Sequence, residues 1–121
     1  MKNLLTDVPG LRVGNAHDAR LASGTTAIVF DAPAAAGVAV PGGSPAVRDT
    51  GLLKPEMTVA RVDAFVLSGG SVFGLDAPGG AIAWLHQQGR GLRVGSARAP
   101  IVPEPKGVVL VSPCVTVTSF G

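Results

Sequence analysis

The chain is poor in the residues that build disulfide frameworks, zinc sites and stacking surfaces for nucleic acids. Its 121 residues include no tyrosine, one tryptophan and one cysteine, and aromatic residues make up only 4%. The lone Cys114 excludes a disulfide framework and a cysteine-based zinc site, and we interpret it as a small apolar residue in a strand. Lys and Arg are scattered rather than clustered, so we expect no nucleic-acid partner. No stretch is long and apolar enough for a membrane span or a signal peptide, which predicts a cytoplasmic protein with no membrane partner.

What the chain does contain is mostly aliphatic. Hydrophobic residues make up 46%, beside 17 glycines, 10 prolines and a net charge of only +2. This composition excludes disorder of the whole chain and predicts a core of Val, Leu, Ile and Ala joined by many tight turns. At this length, residues 1–121 are expected to form a single domain that buries a core without disulfides.

The spacing of the apolar residues predicts an α/β fold with a mainly β core and one main helix. Asp76 is placed to cap that helix, and Pro78 then falls in its first turn, where a missing N–H costs nothing. The predicted strands are 11–14, 25–31, 36–40, 62–67 and 107–118, and the predicted helix is 77–88.

Three weaker patterns add detail. A turn is predicted at 23–24, from its Ser-Gly pair, and a short helix at 57–61. Segments 10–16 and 91–97 differ at one position. We interpret this echo as two strands entering equivalent turns, although chance similarity in a Gly- and Val-rich sequence would also explain it.

The most informative segment is 62–74, in which a β-branched apolar run meets Ser68-Gly69-Gly70-Ser71 and then a helical stretch. A strand–turn–helix order presents unpaired backbone N–H groups at a helix start, where an anion or a developing oxyanion is favoured. The glycine spacing around Ser71 fits neither a hydrolase nucleophile elbow nor a dinucleotide fingerprint. A tight turn packed under a helix remains an equal alternative.

The titratable residues point to no second site. His17 adjoins Asp18, which could orient its imidazole, but a surface histidine is the favoured interpretation, and His86 is expected to face solvent. The eight carboxylates are dispersed and form no convincing pair for acid–base catalysis. Arg48 is favoured as a solvated residue of a connecting loop. We therefore expect no metal site and no cofactor.

Several segments, in this order, resemble one known family. They resemble the N-terminal part of the self-processing L-aminopeptidase/D-esterase (DmpA-like) family, which includes β-peptidyl aminopeptidases and nylon-oligomer hydrolase. The resemblance covers roughly residues 5–103, and the combination is more specific than any single piece. The segments are LTDVPGLRVGNAHD, GTTAIVF, VPGGSPAVRDTGLL, RVDAFVLSGGSVFGLDA and AWLHQQGRG.

The resemblance implies a fold and a reaction. Members are serine-type peptidases that cut their own backbone before a Ser or Thr, which becomes the N-terminal nucleophile of a β-subunit. It implies a partial α/β/β/α sandwich, an oligomeric assembly and a peptide or small amide or ester substrate. The substrate and oxyanion pocket would be lined by Ser68, Gly69, Gly70, Ser71 and Phe73. Nylon-oligomer hydrolase carries a tyrosine where Phe73 stands, so Phe73 could form a wall but donate no hydrogen bond.

The departures from the family pattern are as informative as the matches. No stretch resembles the cleavage junction or the nucleophile, and residues 104–121 diverge from the expected continuation. We interpret the chain as an incomplete N-terminal portion of an α-subunit, inactive alone, whose partner would be the missing β-subunit segment. Two alternatives stay open: a small non-catalytic binding or assembly module using the 68–74 turn, and a degenerate product without function.

Overall fold

The computed structural model describes residues 2, 4–43, 46–59, 61–111 and 115–119, the last two strands by their backbone course. It contains eight strands in these described ranges, two α-helices and two short 3₁₀ turns. The strands are β1 (Leu11–Asp18), β2 (Ser23–Ala34), β3 (Ala36–Ala39), β4 (Val62–Ser68), β5 (Leu92–Val94), β6 (Ala97–Ala99), β7 (Gly107–Val111) and β8 (Val115–Ser119). The helices are α1 (Ser71–Gly74) and α2 (Ala77–Gln87), and the 3₁₀ turns are Leu5–Asp7 and Thr50–Leu53.

The strands form antiparallel sheets in the orders β1-β2-β4, β3-β7-β8 and β5-β6. The predicted α/β class, with a mainly β core and one main helix after the 68–74 turn, is confirmed. The predicted strand 107–118 is observed as β7 and β8, while Cys114 lies outside the described residues. No helix in the described ranges combines the length and the apolar character needed to cross a membrane.

β4 is the centre of the fold because both of its faces are covered. Phe65 packs with Ile28, Phe30 and Val62 on one side, and its ring meets Phe30 edge to face at a centroid distance of 6.0 Å. On the other side, Ala64 and Val66 pack with Leu85 of α2 and with Val102. A strand covered on both faces is expected to be continuously apolar, which explains the run that marks 62–67 in the sequence.

The second edge of β4 is occupied by the extended segment 101–104. Asp63 N donates to Ile101 O at 2.9 Å and Val66 N donates to Pro103 O at 3.2 Å. The Asp63 side chain completes the contact, since its Oδ2 accepts a hydrogen bond from Ile101 N at 2.9 Å. Prolines at 100, 103 and 105 lack N–H donors, so this segment cannot form a regular ladder with β4. It nevertheless fixes residue 104 beside the end of the strand.

Four local predictions are wrong, and each error has a local cause. The turn predicted at 23–24 lies instead at 19–22, because the Asp18 side chain accepts hydrogen bonds from Arg20 N and Leu21 N, and residues 23–24 already belong to β2. The described residues of 57–61 form bends rather than a helix, since β-branched Thr58 and Val59 disfavour so short a nucleus.

The other two errors concern the similarity between segments 10–16 and 91–97 and the capping of α2 by Asp76. Segment 10–16 continues through Gly14 inside a long strand, whereas segment 91–97 turns at Gly95, where φ is +60°. Asp76 does occupy the N-cap position of α2, as predicted, but its side chain makes no capping hydrogen bond, because its backbone already has the right-handed helical conformation as α1 leads into α2. Pro78 does lie in the first turn of α2, as predicted, and it is buried.

Because α2 packs on β4, a substitution that leaves a cavity between them should lower the stability of the protein. Leu85→Ala removes a side chain that is 0% exposed, and we expect the free energy of unfolding to fall by about 2–5 kcal/mol. The matched control is Leu21→Ala, in a turn and 75% exposed, which should change stability by less than about 0.5 kcal/mol. Urea unfolding of both variants checks this, and equal losses would contradict the proposed core.

Candidate functional site

The 68–74 segment forms an exposed corner between β4 and α1. Gly70 has φ +94° and Ser71 has φ +56°, a left-handed conformation that costs a residue with a Cβ about 1 kcal/mol or more. Such strain persists only where the surroundings impose it, and it concentrates at functional sites. Ala22 and Asp49 have the same conformation at other turns, with φ +49° and +57°, so positive φ alone does not single out this corner.

The Ser68 side chain forms hydrogen bonds on the inner side of the corner. Its hydroxyl lies 2.8 Å from the Gly74 carbonyl oxygen, to which it can donate, and it is also hydrogen-bonded to Glu104 Oε1. Because a hydroxyl carries one proton, it donates to one of these oxygens at a time. The contact ties the end of β4 to the end of α1, and both to the 101–104 segment.

Glycine is required at the point where the corner folds back on itself. A Cβ placed on Gly74 would lie 2.0 Å from Gly69 O and 2.9 Å from Ser68 Oγ. The backbone therefore approaches itself more closely than any side chain allows. This packing brings the start and the end of the 69–74 turn together and holds the turn compact.

Glu104 is the buried acid of the corner. Its side chain is 1% exposed, and Oε2 has no hydrogen-bond partner among the described residues. Its backbone pairs with Arg48 in both directions, at 3.0 and 2.9 Å. The Arg48 guanidinium in turn donates to Leu75 O at 3.0 Å, just after α1. Arg48 is thus half-buried and structural, not the solvated loop residue that its sequence context favoured.

The backbone amides of the predicted site differ in availability. Gly69 N donates to Gly24 O at 3.0 Å, so it is committed to holding the turn. Gly70 and Ser71 are exposed, and within the described residues their N–H groups have no recorded partner. Phe73 is 85% exposed beside them. The structure thus gathers all five predicted site residues at one corner, with two free donors and one exposed ring.

The corner is exposed, and three described surface hollows lie elsewhere. They have volumes of about 390, 430 and 440 Å³ and are lined by residues other than 68–74. The first lies between α2 and the β1-β2-β4 sheet and is apolar, lined by Val29, Val66 and Trp84 among others.

The histidines play no part in the corner. His86 is exposed, as predicted, and its Nδ1 lies 3.2 Å from Arg98 O. His17 is also exposed, and Asp18 is engaged with Arg20 instead of with His17. The hydrogen bond from Arg20 N, with those from its side chain and from Leu21 N, lowers the pKa of Asp18.

Sequence reasoning missed the two buried carboxylates. Asp63 and Glu104 belong to the eight carboxylates interpreted from the sequence as dispersed, yet both are buried and both accept hydrogen bonds from backbone or side-chain donors of other elements. A signal was present for Asp63, because it interrupts an apolar run, where a charged side chain is expected to be buried and paired. Glu104 offers no comparable signal, since its flanking prolines are residues that are mostly exposed in proteins.

Comparison with known proteins shows the family of the chain. The profile of "Peptidase family S58" matches residues 3–115. The chain belongs to this peptidase family. Proteins named "uncharacterized aminopeptidase" from Mycobacterium bovis and Mycobacterium tuberculosis are each 41% identical to it over 109 residues, covering 84% of this chain and 32% of theirs. One from Mycobacterium leprae is 39% identical, covering 84% and 30%. The chain thus spans about a third of the length of these relatives.

The close approach at Gly74 yields a stability prediction. Gly74→Ala forces the backbone of 69–74 apart and should cost about 3 kcal/mol, the upper range for overpacking. Gly80→Ala, in α2, meets no atom within 4 Å and should stabilise by about 0.5–1 kcal/mol through helix propensity. Thermal unfolding of the pair measures the difference, and a neutral Gly74→Ala would contradict the described turn.

The buried contact of Ser68 yields a second prediction. Ser68→Ala leaves Glu104 Oε1 without its partner, which should cost about 1–3 kcal/mol. The control is Ser96→Ala, at the exposed β5–β6 turn, expected within about 0.5 kcal/mol of the parent. Denaturant unfolding of both variants provides the comparison. If both substitutions change the free energy of unfolding equally little, the hydrogen bond between Ser68 and Glu104 is not formed.

Proposed function

We propose that this chain is the N-terminal part of a serine-type aminopeptidase or amidase that hydrolyses N-terminal amide or ester bonds. In this proposal the chain supplies pocket and oxyanion groups, and the nucleophile comes from a segment outside these residues. One observation carries it: in a family S58 chain, the amides of Gly70 and Ser71 lie on an exposed corner and have no hydrogen-bond partner among the described residues. The names of the mycobacterial relatives support an aminopeptidase over other peptidases.

The proposed chemistry follows from where negative charge develops. Attack on an acyl carbon places charge on the carbonyl oxygen, and fixed backbone donors stabilise that charge more in the transition state than in the substrate. The amides of Gly70 and Ser71 are free to donate, while Gly69 N, bonded to Gly24 O, holds the turn in place. The buried Ser68–Glu104 contact fixes the turn from behind, so the donors need not reorganise during reaction.

Ser71 itself is a poor nucleophile in this arrangement. In the described residues neither histidine hydrogen-bonds to Ser71, and no other base activates it. We therefore assign the nucleophile to a partner segment that self-processing would generate, as the family resemblance implies. Assembly into a homo-oligomer of such units and a cytoplasmic location form part of the same proposal.

The assay that tests this uses the chain alone and a chimaera in which residues 5–103 replace the matching segment of the Mycobacterium tuberculosis relative. With amino-acid p-nitroanilides as substrates, we expect no turnover by the chain alone and turnover by the chimaera. Ser71→Ala in the chimaera keeps the backbone donor and should retain activity within about tenfold. Loss of all turnover in that variant would identify Ser71 as the nucleophile. It would refute the proposal that the nucleophile comes from a segment outside this chain.

The exposed ring of Phe73 tests the pocket assignment in the same chimaera. Phe73→Ala should raise KM about tenfold, a loss of about 1.4 kcal/mol of substrate binding, without lowering stability, because the ring is 85% exposed. Val72→Ala, its neighbour at 63% exposure, serves as the matched control and should leave KM unchanged. Equal effects of the two substitutions would remove Phe73 from the pocket. Specific peptide binding by the chain alone, with an inactive chimaera, would instead favour the binding-module alternative.

A further inference from the structure

We propose that the hollow at the start of β4 is a binding site for a phosphate-type dianion. This hollow of about 430 Å³ is lined by Arg61, Arg93 and Arg98, with Thr58 and the buried Asp63 among its other walls. Guanidinium groups bind phosphate oxygens through paired N–H donors, and three of them around one hollow provide more positive charge than a monoanion would neutralise. This inference does not depend on the proposed peptidase activity.

The β5–β6 hairpin supplies the first independent observation. Arg93 and Arg98 are directly opposite each other in this two-stranded ribbon. Like charges at opposed positions destabilise a strand pair, and a ribbon of three residues per strand has few other contacts to offset that cost. Both arginines line the same hollow. An anion between them would convert this repulsion into a pair of attractive contacts.

The local hydrogen bonds show that the positive charge is not neutralised by protein groups. Arg61 donates to Pro33 O at 3.1 Å and Arg98 donates to Gly91 O at 3.2 Å, and both acceptors are neutral carbonyls. Within the described residues, none of the three arginines forms an ion pair. The acid in the wall, Asp63, is 3% exposed and its Oδ1 lies 3.5 Å from a nitrogen of Arg90.

The position of the hollow separates it from the exposed corner. Asp63 lies at the beginning of β4 and Ser68 at its end, a span of five residues or about 17 Å along an extended strand. A ligand in the hollow therefore does not occupy the acyl position in front of Gly70 and Ser71. The hollow also exceeds the size of a bare phosphate, so it can accept the organic part of a phosphate monoester.

Equilibrium dialysis and calorimetry of the full chain, with inorganic phosphate and with glycerol 3-phosphate as probes, test the proposal. We expect saturable binding of one probe molecule per chain, against a sodium chloride background of equal ionic strength. Arg93→Gln and Arg98→Gln should each weaken binding at least about tenfold. The control Arg20→Gln, far along the β1–β2 turn and 90% exposed in its side chain, should bind like the parent.

A second measurement guards against misfolded variants. Because Arg93→Gln removes the repulsion from Arg98, its melting temperature without phosphate should equal or exceed that of the parent, while the rise in melting temperature on adding phosphate should disappear. Tighter binding of glycerol 3-phosphate would assign the ligand to a phosphorylated organic molecule, and equal binding would assign it to free phosphate. Either supports the site. Non-saturable binding, or undiminished binding by Arg93→Gln, would overturn it.

Discussion

The central constraint in this protein is the confinement of β4 between β2 on one edge and the 101–104 segment on the other. Main-chain bonds from Asp63 and Val66 reach that segment, and the Asp63 carboxylate accepts the N–H of Ile101 in return. Since both faces of β4 are also covered by apolar side chains, the strand cannot shift in register without exposing its core residues. The contacts on both edges and both faces of β4 therefore position the residues at its two ends.

At the far end of β4 the confinement creates the exposed corner. It places Glu104 beneath Ser68, and the Ser68 hydroxyl then joins the strand to Gly74. Between these points Ser71 is exposed and has a left-handed backbone conformation. At the near end, the same strand begins beside the arginine-lined hollow. One buried strand therefore supports two separate surfaces, the corner that we propose for an acyl oxyanion and the hollow that we propose for a dianion.

Much of the fold could be predicted because local patterns and tertiary packing agree. Burial explains these successes, because buried positions carry apolar side chains and their spacing can be seen in the sequence. It accounts for the apolar run of β4, the helix after the 68–74 turn and the strands near 28 and 38. The five predicted site residues lie within six consecutive positions, 68–73, so a correct strand–turn–helix assignment was sufficient to bring them together. The turn at 23–24 and the helix at 57–61 failed because a single side-chain bond, from Asp18, and two β-branched residues outweighed the pattern.

The sequence by itself determined the covered strand and the glycine-rich corner, because each depends on neighbouring residues. It also determined the family resemblance, because that rests on the order of several segments along the chain. Only the tertiary structure decided that Glu104 lies under Ser68, 36 positions away, and that Arg61, Arg93 and Arg98 share one hollow. The physical reason is that hydrogen bonds and charges act over a few ångströms in space. Which distant residues come within that range is set by how the sheets and the 101–104 segment pack around β4.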